Sequence, residues 1–279
     1  MNTKTVAVTG ANGYIGRHVV PCLKELGARV IAVDVRALEG SVADEQVVAD
    51  ILSEDFDPVR SFDEVPDACL HLAWRDGFNH KSTLHMSDLS GHYRFLKKML
   101  DFGTGQVAAM GSMHEVGYWE GPIDEDTPCN PQSLYGVAKD ALRRALFLEC
   151  DREPFCLQWL RGFYIYGDDK DSQSIFGKLL RADQTGQETF PFTTGKNKFD
   201  FLTVRELGGQ IAAAVMQTEV DGIINCCSGV PVSLADRVEG FIRENGLSIR
   251  LEYGAYPDRP YDSPGIWGDP TKIRKILGE

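Results

Sequence analysis

Val6-Ala7-Val8-Thr9-Gly10-Ala11-Asn12-Gly13-Tyr14-Ile15-Gly16 is the stretch on which the fold turns. A short β-branched run, Thr5–Val8, ends in a glycine-rich turn. Residues Tyr14–Leu26 then carry helical apolar spacing and stop at Gly27, a natural C-cap. In the turn, Gly10 permits the sharp exit from the strand. Gly13 lets the backbone approach a pyrophosphate, and Gly16 lets the helix pack close on the sheet. Asn12, Tyr14 and Ile15 complete the loop. The helix start offers N–H groups and a positive dipole end to anionic oxygens. A second apolar strand, Arg29–Val33, leads to Asp34. A carboxylate roughly 20 residues beyond such a turn accepts hydrogen bonds from ribose hydroxyls. The combination predicts a bound dinucleotide. Asp34 would repel a 2′-phosphate, which favours NAD(H). Arg36 pairs well with phosphate and keeps NADP(H) open.

Outward from this unit, Ala68–Leu72, Gln106–Met110 and Phe155–Leu160 read as buried strands. Ser87–Leu100 and Leu134–Cys150 read as the helices between them. Strands alternating with helices predict right-handed crossovers and a parallel, doubly wound α/β sheet of the Rossmann type. The pattern loosens after Arg161. Asp168–Ser174 and Thr193–Lys198 read as loops, Ile175–Ala182 as a helix and Ile223–Cys226 as one more buried strand. The tail from Tyr253 to Pro270 is rich in Pro, Tyr, Asp and Gly. The expectation is a dinucleotide-binding domain over residues 1–163, its sheet rejoined by about 199–229. Most of 164–279 would form a small C-terminal lobe that caps the ligand crevice and binds substrate.

Bulk composition narrows the class. The 279 residues are 43% hydrophobic and 25% charged, ordinary for a chain with a sizeable core. A net charge of -12 disfavours a sequence-blind grip on nucleic acid. No apolar run is long enough to span a bilayer. Seven cysteines (Cys22, Cys69, Cys129, Cys150, Cys156, Cys226, Cys227) are scattered, with no CxxC pair. Reduced thiols, no metal and a cytoplasmic address are expected.

The chemistry points to Tyr135-Gly136-Val137-Ala138-Lys139, a phenol and an ammonium at i and i+4 on one helix face. A nearby cation should lower the phenol pKa from about 10, so that it exchanges a proton at an alcohol oxygen near neutral pH. Tyr93-Arg94-Phe95-Leu96-Lys97 has the same spacing, but it lies mid-crossover, where a packed tyrosine and a solvated lysine are expected. Tyr135 differs in context. Pro131 and Ser133 lead into its helix, and a strand ending in Gly111-Ser112 precedes it. That places Ser112 at the carboxyl edge of the sheet, within reach of the same substrate oxygen.

Together these residues resemble the extended short-chain dehydrogenases/reductases, of the NAD-dependent epimerase/dehydratase type. The resemblance runs through Thr9–Gly16, Asp34, Asp50-Ile51, His71-Leu72-Ala73-Trp74, Ser112, Tyr135–Lys139, Leu160-Arg161 with Tyr166-Gly167, Asp200-Phe201, and Asn225 with Ser228-Gly229. It implies a Ser112–Tyr135–Lys139 catalytic set. Asp50 and Ile51 would meet the adenine, Leu72, Ala73 and Trp74 the pyrophosphate, and Gly162 and Phe163 the nicotinamide. On the substrate side it implies Trp74, Met113, His114, Tyr164, Ser174, the segment Phe190-Pro191-Phe192, Arg259 and Tyr261. His71 reads as a core histidine.

The chain also departs from the family pattern. Met113-His114-Glu115-Val116-Gly117 replaces the usual small residues. A one-residue shift would put Met113 in the hydroxyl position, but Ser112 keeps Gly117 on the family glycine. His114 breaks the Asp-Glu pair of the family's dehydratases, and becomes a substrate contact or second acid. Phe199-Asp200-Phe201 lacks one phosphate-binding arginine, for which Lys196 or Lys198 could substitute.

Three activities follow from the resemblance: an NAD(P)-dependent reductase of a nucleotide-diphospho-4-keto-6-deoxy sugar, a nucleotide-sugar 4-epimerase that retains NAD, and a non-catalytic dinucleotide sensor. The reductase is favoured by the compact tail, and the sensor is disfavoured by the intact Ser112, Tyr135 and Lys139. Relatives of this kind also imply a homodimer built on the Tyr135 helix.

Overall fold

The computed structural model describes residues 3–167, 174–258 and 263–279. Seven parallel strands form the main sheet. Their order is Gly222–Cys226, Cys156–Gly162, Gln106–Ser112, Ala68–His71, Thr5–Thr9, Arg29–Asp34 and Glu45–Val48. Successive side chains along a strand point to opposite faces. Val6 and Val8 accordingly enter one core, and Ala7 between them enters the other. On the first face lie the helices Gly16–Glu25 and Val204–Val215, through Val19, Leu23, Leu207 and Ile211. On the second lie Leu89–Phe102 and Leu134–Arg152, through Phe95, Leu96, Leu142 and Leu146. The sheet is therefore doubly wound, as the alternating pattern predicts. Strand order reverses beside Thr5–Thr9, and ligands of such sheets bind at the carboxyl ends of the strands on either side of that reversal.

Several elements differ from the sequence reading. The first helix starts at Gly16 rather than Tyr14, because the glycine turn runs on through Ile15. The crossover helix is broken at Asp88 into Leu84–Ser87 and Leu89–Phe102. Glu45–Val48, an edge strand with every second residue exposed, carries no long apolar run. The second half is more ordered than its loose pattern suggests. A second sheet joins Pro231–Ser233, Lys198–Thr203, Gly265–Gly268 and Gly121–Ile123, with Tyr164–Tyr166 paired to Lys198–Thr203. Thr189–Pro191 pairs with Arg250–Glu252. Helices Ile175–Gln184 and Leu234–Glu244 close a third core around Phe176, Leu179, Phe192 and Phe241.

Two buried polar groups hold these parts together. Gln106 and Gln158 lie side by side in adjacent strands at the edge opposite the glycine turn. They donate to the carbonyls of Ala214, Val215, Gln217 and Val220, where the helix Val204–Val215 ends. Helix ends leave carbonyls without internal partners, and the two amides supply them.

Asp200, fully buried in the second sheet, accepts from Ser228 N (2.8 Å), Ser228 Oγ (2.7 Å), Gly229 N (2.9 Å) and Gly268 N (3.2 Å). One carboxylate thus ties the loop after the Gly222–Cys226 strand to the second sheet. Asp200→Ala would strand three backbone donors and should cost about 3 kcal/mol, read as a Tm drop of roughly 6–12 °C. An unchanged Tm would show that Asp200 does not bear this load.

Candidate active site

The glycine turn is built by close approach. Gly10 has φ 67°, and a Cβ there would fall 2.7 Å from Ala73 Cα. A Cβ on Gly16 would fall 2.2 Å from the Gly10 carbonyl oxygen. The turn coils on itself and lies directly against the segment that follows the Ala68–His71 strand. Leu72 N–H donates to Thr9 O (3.2 Å) and Ala73 N–H to Thr9 Oγ1 (3.3 Å), which fixes that segment. The helix behind the turn begins at Gly16, and its N-cap residue Ile15 offers no side-chain cap.

Asp34 Oδ2 accepts from Asn12 N (3.0 Å) and Asp34 Oδ1 from Val35 N (2.8 Å). The Asn12 amide donates to Arg36 O (2.7 Å), while Asn12 Oδ1 is buried without a hydrogen-bond partner. A cradle that a Cβ would fill, an uncapped helix start, a partnerless buried oxygen and a carboxylate at the neighbouring strand end fit a dinucleotide. The Tyr14 hydroxyl donates to Gly167 O, tying the turn to the second half. Asp50 is exposed and its Oδ1 accepts from Leu52 N, whereas Ile51 is buried against the sheet.

Tyr135 meets the same segment through Trp74, whose ring lies 6.1 Å from its own. Ser133 Oγ caps its helix by accepting from Gly136 N (3.1 Å). Gly136 is required here, since a Cβ would meet the His114 carbonyl oxygen at 2.3 Å. That contact seats the helix on the turn Met113–Glu115, which follows Ser112 at the end of its strand. Ser112 is itself held from behind: its N–H donates to Glu115 Oε1 (2.5 Å), while Glu115 Oε2 accepts from Trp159 Nε1 (2.9 Å) and faces Arg161 Nε at 3.7 Å. Glu115 and Arg161 are both fully buried. The sequence gives Glu115 no such role, because its partners lie in a different strand.

Lys139 differs from its expected part. Its ammonium donates to Met110 O (2.7 Å) and sits 3.6 Å from the centroid of the Trp74 ring, but 5.8 Å from that of Tyr135. Burial pulls the lysine down to about 7, against an opposing push from Glu115. Burial likewise pushes the Tyr135 phenol up, with the Ser112 hydrogen bond acting the other way. The expected lowering of the phenol by its lysine neighbour is therefore absent: desolvation outweighs a cation already engaged by a carbonyl and an indole. The decoy pair behaves as expected, with the Tyr93 hydroxyl donating to Glu149 Oε1 (2.6 Å) and Lys97 paired to Asp101.

An aromatic ring of neighbours surrounds Tyr135. His80 lies parallel to it (4.9 Å, 9°). Trp74, His85 and His114 meet it edge-on at 6.1, 5.2 and 6.1 Å. Of these, sequence reasoning singled out Trp74 and His114 and missed His80 and His85, which belong to no motif. His71 is a core histidine as expected, bonded to Thr9 Oγ1 (2.9 Å) and His92 Nδ1 (3.0 Å).

The remaining expected site residues are more scattered. Met113 and Phe163 are buried in the main core, and Gly162 ends the strand beside Ser112. Tyr164 is half-buried against Phe199 (4.2 Å). Ser174 caps the helix Ile175–Gln184 by accepting from Gly177 N. Phe190 and Pro191 are partly or fully exposed, but Phe192 is 2% exposed, so its ring is committed to the lobe core. Arg259 and Tyr261 lie outside the described residues.

The chain is similar to known proteins over nearly all of its length. The profile of the NAD dependent epimerase/dehydratase family matches residues 6–227. The dTDP-6-deoxy-L-talose 4-dehydrogenase (NAD(+)) of Aggregatibacter actinomycetemcomitans is 42% identical, over 94% of this chain and 98% of its own. A UDP-glucose 4-epimerase of Halalkalibacterium halodurans is 27% identical, over 98% and 89%. Among solved structures, MoeE5 in complex with UDP-glucuronic acid and NAD superposes with a TM-score of 0.82 at 26% identity, over 98% and 92%.

The buried lysine has a consequence for stability. An ammonium whose folded pKa is about 7 and whose ordinary value is 10.5 binds more protons unfolded than folded between those values. Its cost is full below pH 7 and fades as pH rises toward 10.5. Lys139→Met should therefore raise Tm by roughly 5 °C at pH 6, with the gain shrinking steadily toward pH 10. A gain independent of pH would show that Lys139 is not buried as a charge.

Proposed function

The chain belongs to the NAD dependent epimerase/dehydratase family, and from that premise we propose that it reduces the 4-keto group of a nucleotide-diphospho-4-keto-6-deoxy sugar. It is an NAD-dependent oxidoreductase, and its substrate class is nucleotide sugars. The observation that supports the finer reading is that one segment, Ala73-Trp74, touches both Gly10 of the glycine turn and the Tyr135 ring. The relative at 42% identity, named for a 4-dehydrogenase acting on a dTDP-6-deoxyhexose, supports the position of the reacting carbon and the sugar class.

When bound, NADH supplies the hydride that reaches C4. Tyr135 gives its phenolic proton to the former carbonyl oxygen in the same step, and solvent returns a proton to the phenolate. A phenol raised by burial stays protonated at neutral pH, which suits the reductive direction. Ser112 donates to the same oxygen and steadies the developing alkoxide. Lys139, held over Trp74, would hold the nicotinamide ribose. Asp34 would receive the adenosine ribose hydroxyls, and Gly10, Gly13 and Gly16 would admit the pyrophosphate. Residues 164–279 supply most of the sugar-nucleotide side. In reverse the C4 alcohol would give its hydride to NAD and its proton to the Tyr135 phenolate, the base in that direction.

The 27% identity to a UDP-glucose 4-epimerase favours a second reading, in which the sugar is oxidised and then reduced on its other face with no net loss of NADH. The described helices include none long and apolar enough to cross a membrane. A cytoplasmic homodimer is part of the proposal. Exposed Leu134, Val137, Leu148 and Met86 on the Tyr135 helix and its neighbour would form the dimer face.

A panel of dTDP-, GDP- and UDP-4-keto-6-deoxy sugars, followed by NADH absorbance, tests the reading. One member should consume NADH one-for-one. Tyr135→Phe should lower kcat by roughly 10²–10⁴-fold while leaving dinucleotide Kd within about twofold. Turnover that survives the substitution would remove Tyr135 from the chemistry, and sugar isomerisation at constant NADH would select the epimerase.

A further inference from the structure

Five of the six histidines, residues 71, 80, 85, 92 and 114, gather around Tyr135 and Trp74. Three of them are structural. His71 joins Thr9 Oγ1 to His92. His92 lies flat on Trp74 (4.2 Å, 8°). His85 accepts from Trp74 Nε1 (3.0 Å) and donates to Asn79 O (2.9 Å), since one ring nitrogen of a neutral imidazole accepts and the other donates. The other two, His80 and His114, meet edge to face with ring centroids 4.2 Å apart. Among the described residues, neither has a hydrogen-bond partner on its ring nitrogens.

The geometry points to His80, paired with His114, as a specificity-determining group that holds the sugar hydroxyl next to the reacting carbon. The inference rests on the proposed reduction at C4 over Tyr135. Beside C4 of a 6-deoxyhexose, C3 carries a hydroxyl and C5 carries the methyl group, so the hydroxyl in question is the one on C3. His80 stacks on the phenol that serves C4, and His114 stands at its edge. Burial pulls both imidazoles down, His114 to about 3, so at neutral pH each keeps one N–H donor and one lone pair. A hydroxyl also donates once and accepts, and two neutral imidazoles match it without a charged partner.

The loop that carries His80 is fixed before any ligand arrives. Tyr135 N–H donates to His80 O (3.2 Å). Asp76, a non-glycine residue at φ 56°, accepts from Asn79 N (2.7 Å) through its carbonyl and from Ser82 Oγ (2.7 Å) through its carboxylate. Arg75 grips both carboxylate oxygens of Asp88. An unstrained exposed loop would adopt φ 56° at an aspartate only rarely. Here it turns the chain so that the imidazole covers one face of the phenol.

His80→Phe keeps the stacked ring and removes its polar atoms, which separates packing from recognition. With whichever panel sugar the parent enzyme turns over, H80F should raise KM roughly tenfold. Its Tm should stay within a few degrees and its NADH Kd within about twofold. A 3-deoxy analogue of the same sugar should lower parent kcat/KM to the H80F level and leave H80F no worse. Parent-like kinetics in H80F, or an equal further loss with the 3-deoxy analogue, would overturn the assignment while the C4 reduction stands. A rise confined to NADH Kd would place His80 at the cofactor and overturn it as well. If the parent neither binds nor turns over any panel sugar, measured by calorimetric titration, both readings fall.

Discussion

The fit of Gly10 against Ala73 is the constraint from which the site follows. A backbone at φ 67° with no Cβ lets the first strand's turn touch the segment leaving the fourth strand of the sheet. Those two strands flank the point where the strand order reverses. Because the contact is backbone to backbone, it has no slack. It fixes the segment Leu72–Trp74, whose Ala73 lies against the phosphate cradle and whose Trp74 meets Tyr135 and Lys139. A cofactor bound to the cradle and a proton donor at Tyr135 are then brought together without either half contributing a mobile part.

Beyond that segment, the site is built from groups taken out of water. Lys139, Glu115 and Arg161 are all buried, an arrangement that costs stability unless each charge finds partners. Glu115 spends its two oxygens on Ser112 N and Trp159 Nε1, so its charge positions the hydroxyl beside Tyr135. Lys139 is held by Met110 O and by the face of Trp74, an indole braced by His85 and His92. A cation over an aromatic face gains up to about 2 kcal/mol when desolvated. The same dryness moves phenol and lysine in opposite directions, the phenol up and the ammonium down.

What the sequence shows of this depends on how local each signal is. The glycine turn, Asp34, and the Tyr135–Lys139 spacing are contiguous motifs, and the apolar strands around them have clear runs, so the doubly wound sheet was legible. Glu45–Val48 was not, because an edge strand is exposed on alternate residues. The three-residue strands of the second sheet are too short for periodicity to register. The helix Val204–Val215 was hidden in a region read only as loosened pattern, although its capping pair Thr203 and Glu206 is a local signature. The histidines failed for a different reason. His80 and His85 sit in a polar loop and acquire meaning only when the fold lays them on Tyr135. The direction of the phenol's acidity was misjudged because spacing gives charge neighbours but not desolvation.

The central claim is that Tyr135 works at the C4 oxygen of a nucleotide sugar beside a nicotinamide held by the glycine turn. Isotope transfer tests it most directly. The protein would be given NADH deuterated on the transferring face and a nucleotide-diphospho-4-keto-6-deoxy sugar, and the product examined by NMR. The account predicts one deuterium, located on C4 of the sugar, with an equal amount of NAD formed. A reduced sugar carrying no deuterium at C4, or deuterium at any other carbon, would contradict it.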